Sequence, residues 1–300
     1  MSLLKNNRYL NVFSINDMEK NAVKRFINIG SRLISIEKPL IMGILNITPD
    51  SFYDGGIYLT EDKIIGRVNE MLQEGADIID VGGYSSRPGA KDVSEAEELK
   101  RISKAIKIIR DNFPDAILSA DTFRSSVAEA CLSQGVDIIN DISAGTLDKN
   151  MIPLIIEAKV PYVMMHMRGT PRTMTRLTDY SNLIQEIIAY FYPKIEKLKA
   201  HGVKDIIIDP GFGFAKNIEQ NFLMLKKLSL FHVLETPLLV GISRKSMIYK
   251  TLGITPQEAL NGTTALHMTA LQNGANILRV HDIKEAVQTV KLFEKLSSVE

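Results

Sequence analysis

The sequence predicts an α/β fold, a (β/α)8 TIM barrel with a short N-terminal appendage, and three observations carry that reading. First, 300 residues that are 45% hydrophobic and 24% charged suit a single large core, because a chain of roughly 300 residues buries about 75% of the surface its unfolded form exposes. Second, GADIIDVGG (75–83), GVDIINDIS (135–143), GVKDIIIDPGFG (202–213) and GANILRVHD (274–282) each open on a glycine, run through apolar residues and end in polar ones. Glycine reaches positive φ at little cost and so ends a helix well, and the short apolar run after it fits a parallel strand buried on both faces. Third, helical periodicity fills the intervals between such runs. Alternation alone leaves a doubly wound open sheet as the alternative.

In chain order, residues 1–39 stand outside the alternation and form the expected appendage. RYLNVFSI and SRLISIEKP flank a basic, helix-like segment, MEKNAVKRFINIG, which would cover the bottom of a barrel spanning residues 40–300. The first barrel strand is expected near 40–45, followed by a helix in TEDKIIGRVNEMLQEG (60–75), where Ile64, Ile65, Val68, Met71 and Leu72 share one stripe. Further strands are expected near 77–81, 116–120, 137–140, 161–165, 205–209, 237–241 and 276–280. The helices between them fall near 94–113, 124–134, 149–158, 180–201, 217–228, 256–273 and 283–296. Cys131, the single cysteine, lies in one of these helices and reads as a small buried side chain, so no internal disulfide and no cysteine-built metal site is available.

Composition narrows the partners. The net charge of +1 comes from 36 basic and 35 acidic side chains spread along the chain without a polybasic run, which points away from nucleic acid and membrane surfaces. With no apolar run of signal-peptide or membrane-span length, the expected location is cytoplasmic.

Barrel enzymes place their chemistry on the loops after the strands, and here every strand end is polar. The stretch MGILNITPDSFYDGG passes from a buried strand straight into Asn46, Asp50 and Asp54. Later ends carry SSRPGA, Asp121, Asn140 with Asp141, His166 with Arg168, Asp209 with GFGF, Ser243 to Ser246, and Arg279 with His281. Asp121, Asn140 and Asp209 offer the acceptors and donors that a flat amino-heterocycle needs, although Asp121 or Asp209 taken alone could cap a helix. Arg87, Lys245, Arg279 and His281 add cationic groups suited to a phosphate, and the two-residue spacing of Arg279 and His281 puts both on one strand face. Arg244 and Lys245 could equally begin a solvated helix.

Taken together, MGILNITPDSFYDGG, DVGGYSSRPGA, SADTFRSSVA, INDIS, MMHMRGTP, DPGFGF, GISRKSMI and ILRVHD resemble the dihydropteroate synthase family of pterin-binding enzymes, in that family's order from about residue 40 to 285. The resemblance implies condensation of 6-hydroxymethyl-7,8-dihydropterin pyrophosphate with p-aminobenzoate, in folate biosynthesis, by a homodimeric sulfonamide target. It implies that Asn46 binds Mg²⁺ with the substrate pyrophosphate, in a loop where Asp50, Phe52 and Asp54 order on ligand binding. Asp121, Asn140, Met165, Asp209, Gly213, Phe214, Lys245 and Arg279 would hold the pterin. Asn46, Ser86, Arg87, Arg279 and His281 would hold the pyrophosphate, and Ser86, Arg87, Pro88, Phe214, Lys245 and Ser246 the p-aminobenzoate. Catalysis would fall to Asn46, Arg87, Asp121, Asp209, Lys245, Arg279 and His281.

Tyr84 and Ser86 stand where relatives often carry a polar residue and a threonine. Ser86 keeps the hydroxyl but loses a methyl contact. The rival of another class is a pterin-binding methyltransferase domain using methyltetrahydrofolate, which has no need of Asn46, SSRPGA or the trio Lys245, Arg279 and His281. His166, between two methionines, reads as a core histidine, and RGTPRTMTR (168–176) as a basic loop either solvated or closing on the site.

Overall fold

A computed structural model describes residues 26–30, 32–47, 60–85 and 92–299. The chain opens with an antiparallel hairpin, β1 (Phe26–Ile29) and β2 (Arg32–Ser35). Eight parallel strands follow: β3 (Leu40–Asn46), β4 (Ile78–Gly82), β5 (Leu118–Asp121), β6 (Ile138–Asp141), β7 (Tyr162–Met165), β8 (Ile206–Asp209), β9 (Leu239–Val240) and β10 (Ile277–Val280). Their hydrogen-bonded order is β8-β7-β6-β5-β4-β3-β10-β9, and a parallel bridge from Ile208 to Leu238 joins the two ends into a barrel.

Helices α1 (Glu61–Glu74), α2 (Glu95–Asn112), α3 (Ser125–Ser133), α4 (Met151–Ala158), α5 (Leu183–Ala200), α6 (Ile218–Lys226), α7 (Ser246–Leu252), α8 (Leu260–Gln272) and α9 (Ile283–Ser297) lie between and after the strands. All four junction glycines, Gly75, Gly135, Gly202 and Gly274, take positive φ, as an αβ turn requires. Two features depart from the pattern read in the sequence. The seventh connection holds a separate short α7 before α8, and turns of 3₁₀ helix form at Met174–Arg176 and Leu228–Leu234.

Strand pleating sorts the core into two zones. Outward residues such as Ile41, Leu45, Ile79, Val81, Leu118 and Ile208 pack under the helices in one large cluster. Inward residues Leu40, Met42, Ile78, Ile117, Ile138, Val163, Ile207, Leu239 and Ile277 fill the lower barrel together with Ile27 and Ile29 of the hairpin. The hairpin therefore plugs the end at which the strands begin. Asn28 N–H donates to Asp205 Oδ1 at 3.0 Å and Arg32 to the Asp115 carbonyl at 2.8 Å, both just ahead of strands. FINI (26–29), read as the end of a helix-like segment, is instead a strand, because burying Ile27 and Ile29 on one face needs a period of two. RYLNVFSI lies outside the described residues. Above the apolar zone the same inward positions turn polar.

Candidate active site

Register sets the height of the polar groups. Asn46 pairs with Gly82, Gly82 with Asp121, and Asp121 with Asn140 across four neighbouring strands. A Cβ at Gly82 would stand 3.5 Å from both Asn46 Oδ1 and Asp121 Oδ2, so the glycine keeps the space between them open. Gly241 does the same on the far side. A Cβ there would meet Lys245 Nζ at 3.8 Å, Arg279 Cβ at 3.8 Å and Asp209 Oδ2 at 3.9 Å. Two bare positions thus leave a cradle rimmed by carboxylates, an amide and two cations.

Arg279 spans this cradle. Its Nε donates to Asp80 Oδ2 and its Nη2 to Asp121 Oδ2, each at 2.6 Å. Burial alone would lower the Arg279 pKa, but Asp80 and Asp121 raise it above its ordinary value, so the guanidinium stays charged. Burial pushes the Asp121 carboxyl up, against the pull of Arg279. Asp209 is likewise raised by burial, with Lys245 opposing, and its Oδ1 accepts the Gly211 N–H at 2.7 Å. Lys245 Nζ donates to the Phe212 carbonyl at 2.5 Å and lies 5.0 Å from the Phe214 ring centroid. Burial brings its pKa down to about 8, Asp209 acting the other way.

The loop after β8 is shaped from below by Lys216. Its side-chain nitrogen donates to the carbonyls of Gly211 at 3.0 Å and Phe214 at 2.9 Å and lies 3.0 Å from His166 Nδ1, and burial pushes its pKa well below the ordinary lysine value. Gly211 has φ +76, and a Cβ there would sit 2.1 Å from the His166 carbonyl oxygen, so no other residue fits beneath the loop. Met165, Met167, Met174 and Ala215, with Phe214 against them, form an apolar wall at the mouth.

The structure brings Asn46, Asp121, Asn140, Met165, Asp209, Gly213, Phe214, Lys245 and Arg279 to one rim. Ser246 begins α7 beside Lys245, and His281 follows β10, with its backbone N–H and Nδ1 held 3.2 and 3.1 Å from Ser243 Oγ. Ser86, Arg87 and Pro88, with Asp50, Phe52 and Asp54, lie outside the described residues. Two groups at strand ends turn away from the rim. Asp141 takes Ser143 N–H and hydroxyl, Gly145 N–H and Tyr162 hydroxyl, which pins the turn after β6. Arg244 forks onto both oxygens of Asp282 and onto the carbonyls of Pro256 and Gln257, a clamp between loops.

His166 is a core residue, 2% exposed, set edge-on to Tyr190 with centroids 4.8 Å apart. The basic loop is docked: Arg168 pairs with Glu186 and stacks on Tyr180, Arg172 pairs with Asp92 at 2.9 Å, and Met174 is buried. Tyr84 packs edge-on against Phe123 with centroids 5.2 Å apart, under Arg124.

Sequence reasoning missed Asp80 and Lys216, and gave Ser243, noted at its strand end, no role. Asp80 had a visible signal, a carboxylate two residues from Ile78 and therefore on the same inward face of an otherwise apolar strand. Lys216 had none, because its contact with His166 spans 50 residues, and the contact of Ser243 with His281 spans 38.

Among the described residues no cluster of three or more His, Cys, Asp or Glu could cage a metal ion. Mg²⁺, however, is commonly held by one or two protein oxygens together with substrate phosphates and water. Asn46 Oδ1, facing the opening left by Gly82, fits that mode.

Comparison with known proteins agrees with this geometry. The family model described as pterin binding enzyme matches residues 42–281. The dihydropteroate synthase of Synechocystis sp. is 43% identical over 263 residues, covering 87% of this chain and 91% of that protein. That of Escherichia coli K12 is 40% identical over 263 residues, covering 87% and 93%. Among solved structures, the Yersinia pestis dihydropteroate synthase in a sulfonamide drug complex superposes with a TM-score of 0.86 at 38% identity, covering 91% of this chain and 100% of that one. The Xanthomonas albilineans dihydropteroate synthase with 4-aminobenzoic acid gives 0.85 at 33% identity, covering 92% and 99%.

Proposed function

The chain belongs to the pterin-binding enzyme family and catalyses the dihydropteroate synthase reaction, and from that premise we propose how its pocket works. The reaction joins 6-hydroxymethyl-7,8-dihydropterin pyrophosphate to p-aminobenzoate and yields 7,8-dihydropteroate and pyrophosphate, a step of folate biosynthesis. The observation that carries the reading is the cradle itself, with Asp121, Asn140 and Asp209 around a gap that Gly82 and Gly241 leave empty, and Lys245 and Arg279 charged beside it.

Asp121, Asn140 and Asp209 receive the pterin edge, and Met165 and Phe214 supply apolar surface for the ring and the aryl group. Breaking the bond between the methylene carbon and the pyrophosphate oxygen places negative charge on the leaving group and positive charge on the methylene. Arg279, Lys245 and His281 stabilise the former as fixed charges and donors aimed at developing charge, and the two carboxylates help the ring bear the latter. Arg279 needs no reorganisation, because Asp80 and Asp121 already hold its guanidinium. Mg²⁺, held by Asn46 together with the substrate pyrophosphate, would neutralise further charge on the leaving group. The aniline nitrogen is already a nucleophile, so positioning does the remaining work. Ser86, Arg87, Pro88 and Ser246 complete the p-aminobenzoate side in this reading.

The test is pyrophosphate release from the pterin pyrophosphate with Mg²⁺, with and without p-aminobenzoate, for the wild type and Asn46→Ala. Release coupled to dihydropteroate formation and strongly reduced in the variant is expected. Unchanged release in Asn46→Ala removes Asn46 and its metal from the mechanism, while tight pterin binding without any release revives the methyltransferase reading.

The proposal extends to a cytoplasmic homodimer. No helix among the described residues is long and apolar enough to cross a membrane. Leu292 and Leu296 stand 65% and 55% exposed on α9, an apolar strip that a second copy would cover. A monomer in sedimentation velocity would remove the dimer.

A further inference from the structure

Asp80 lies beneath the pocket, 0% exposed, and both of its donors arrive on one oxygen. Oδ2 accepts Arg279 Nε at 2.6 Å and Asn140 Nδ2 at 3.0 Å, while Oδ1 is buried with no hydrogen-bond partner among the described residues. A carboxylate oxygen beside a charged guanidinium can only accept. The Asn140 atom facing it therefore has to be the amide nitrogen, and Oδ1 of Asn140 is turned elsewhere. Among the described residues nothing donates to that oxygen, and Asn140 stands in register beside Asp121 at the rim.

We infer that Asp80 is a positioning residue that sets the hydrogen-bond polarity of the pocket: it holds the amide nitrogen of Asn140 and so presents Asn140 Oδ1, an acceptor, to the substrate ring. The inference rests on the pterin-binding reading above and adds a reason for its selectivity. A heterocycle edge bearing N–H donors is accepted, and one bearing a carbonyl at that place meets an oxygen. An asparagine at position 80 would keep the polarity, because Arg279 Nε can only donate and would hold the amide oxygen where Oδ2 now lies, whereas an alanine or a serine offers no such fixed acceptor and leaves the Asn140 amide free to turn. A buried carboxylate with one unpartnered oxygen is costly, and this role explains its retention in the strand.

The experiment measures equilibrium binding of 6-hydroxymethylpterin and of 6-hydroxymethyllumazine, in which an oxo group replaces the amino group, to the wild type, Asp80→Ala, Asp80→Ser and, as the variant that keeps the acceptor, Asp80→Asn. Thermal melts confirm that each variant is folded. The wild type should favour the pterin by at least roughly tenfold, about 1.4 kcal/mol; Asp80→Asn should keep most of that preference, and Asp80→Ala and Asp80→Ser should lose most of it. Equal weakening of the two ligands in Asp80→Ala and Asp80→Ser, with the ratio kept, would show a merely structural Asp80 and overturn the inference. If neither Asp80→Ala nor Asp80→Ser folds, Asn140→Ala is read in their place: a ratio reduced toward one supports the inference, and an unchanged ratio overturns it. Dihydropteroate formation by the wild type is assayed beside these, so loss of the enzyme reading registers separately from loss of the selectivity ratio.

Discussion

His267→Leu should make the protein less sensitive to acid, by an amount that the structure sets. His267 lies in α8, 2% exposed, and its Nε2 has no hydrogen-bond partner among the described residues. Burial lowers its pKa from 6.5 to about 4, with Asp282 pulling weakly the other way. Between those two values the unfolded chain binds the proton and the folded chain does not, so stability falls as pH falls, by about 1.4 kcal/mol per pH unit. From pH 7.5 to pH 5.0 the loss from this one ring comes to about 2 kcal/mol. Other groups titrate over the same range, and the raised carboxyl of Asp121 acts in the opposite direction. They are present in both proteins and cancel in the difference when the sites are independent. Urea unfolding of the wild type and His267→Leu at the two pH values should therefore show the stability gap moving by about 2 kcal/mol in favour of the variant. A gap that stays constant within about 0.5 kcal/mol would mean that the folded protein protonates this ring as readily as the unfolded chain, and the argument from burial would be wrong.

Three further outcomes follow from the same geometry. Arg279→Met leaves the Asp80 and Asp121 carboxylates facing each other without a cation, so it should cost about 3–5 kcal/mol in chemical denaturation and abolish dihydropteroate formation. Ile27→Ala opens a cavity in the plug at the closed end of the barrel and should cost about 2–5 kcal/mol with kcat unchanged, since the site lies at the other end. Lys245 has its pKa lowered by burial to about 8. The ammonium is the form that meets the leaving group, so kcat/KM for the pterin substrate should fall as pH rises above about 8, and that limb should vanish in Lys245→Arg, whose charge does not titrate there.

Much of the fold was legible because its signals are local. Each of Gly75, Gly135, Gly202 and Gly274 ends a helix by its own backbone freedom, and the apolar run behind it has the length of a strand. Polar residues at strand ends could be assigned to one mouth because parallel strands in a barrel all point the same way. The same argument failed for Arg244 and Asp141. Both stand at strand ends, but one is drawn onto Asp282 and the other onto its own turn, and those competitions depend on loops meeting in space. The hairpin was misread for a related reason: FINI reads as part of a helix until Ile27 and Ile29 find the barrel floor.

The sequence by itself determined the alternation of strands and helices, the count of eight, the end at which chemistry gathers and, through its motifs, the family. These are properties of short stretches, where spacing and residue type suffice. Only the tertiary structure decided that Asp80 and Asp121 grip Arg279 from two strands, that Gly82 and Gly241 open the cradle, and that Lys216 braces the loop after β8. Arg279 and Asp80 are 199 residues apart, and what brings them together is the closure of the barrel, a cooperative result of all eight strands that no local window contains.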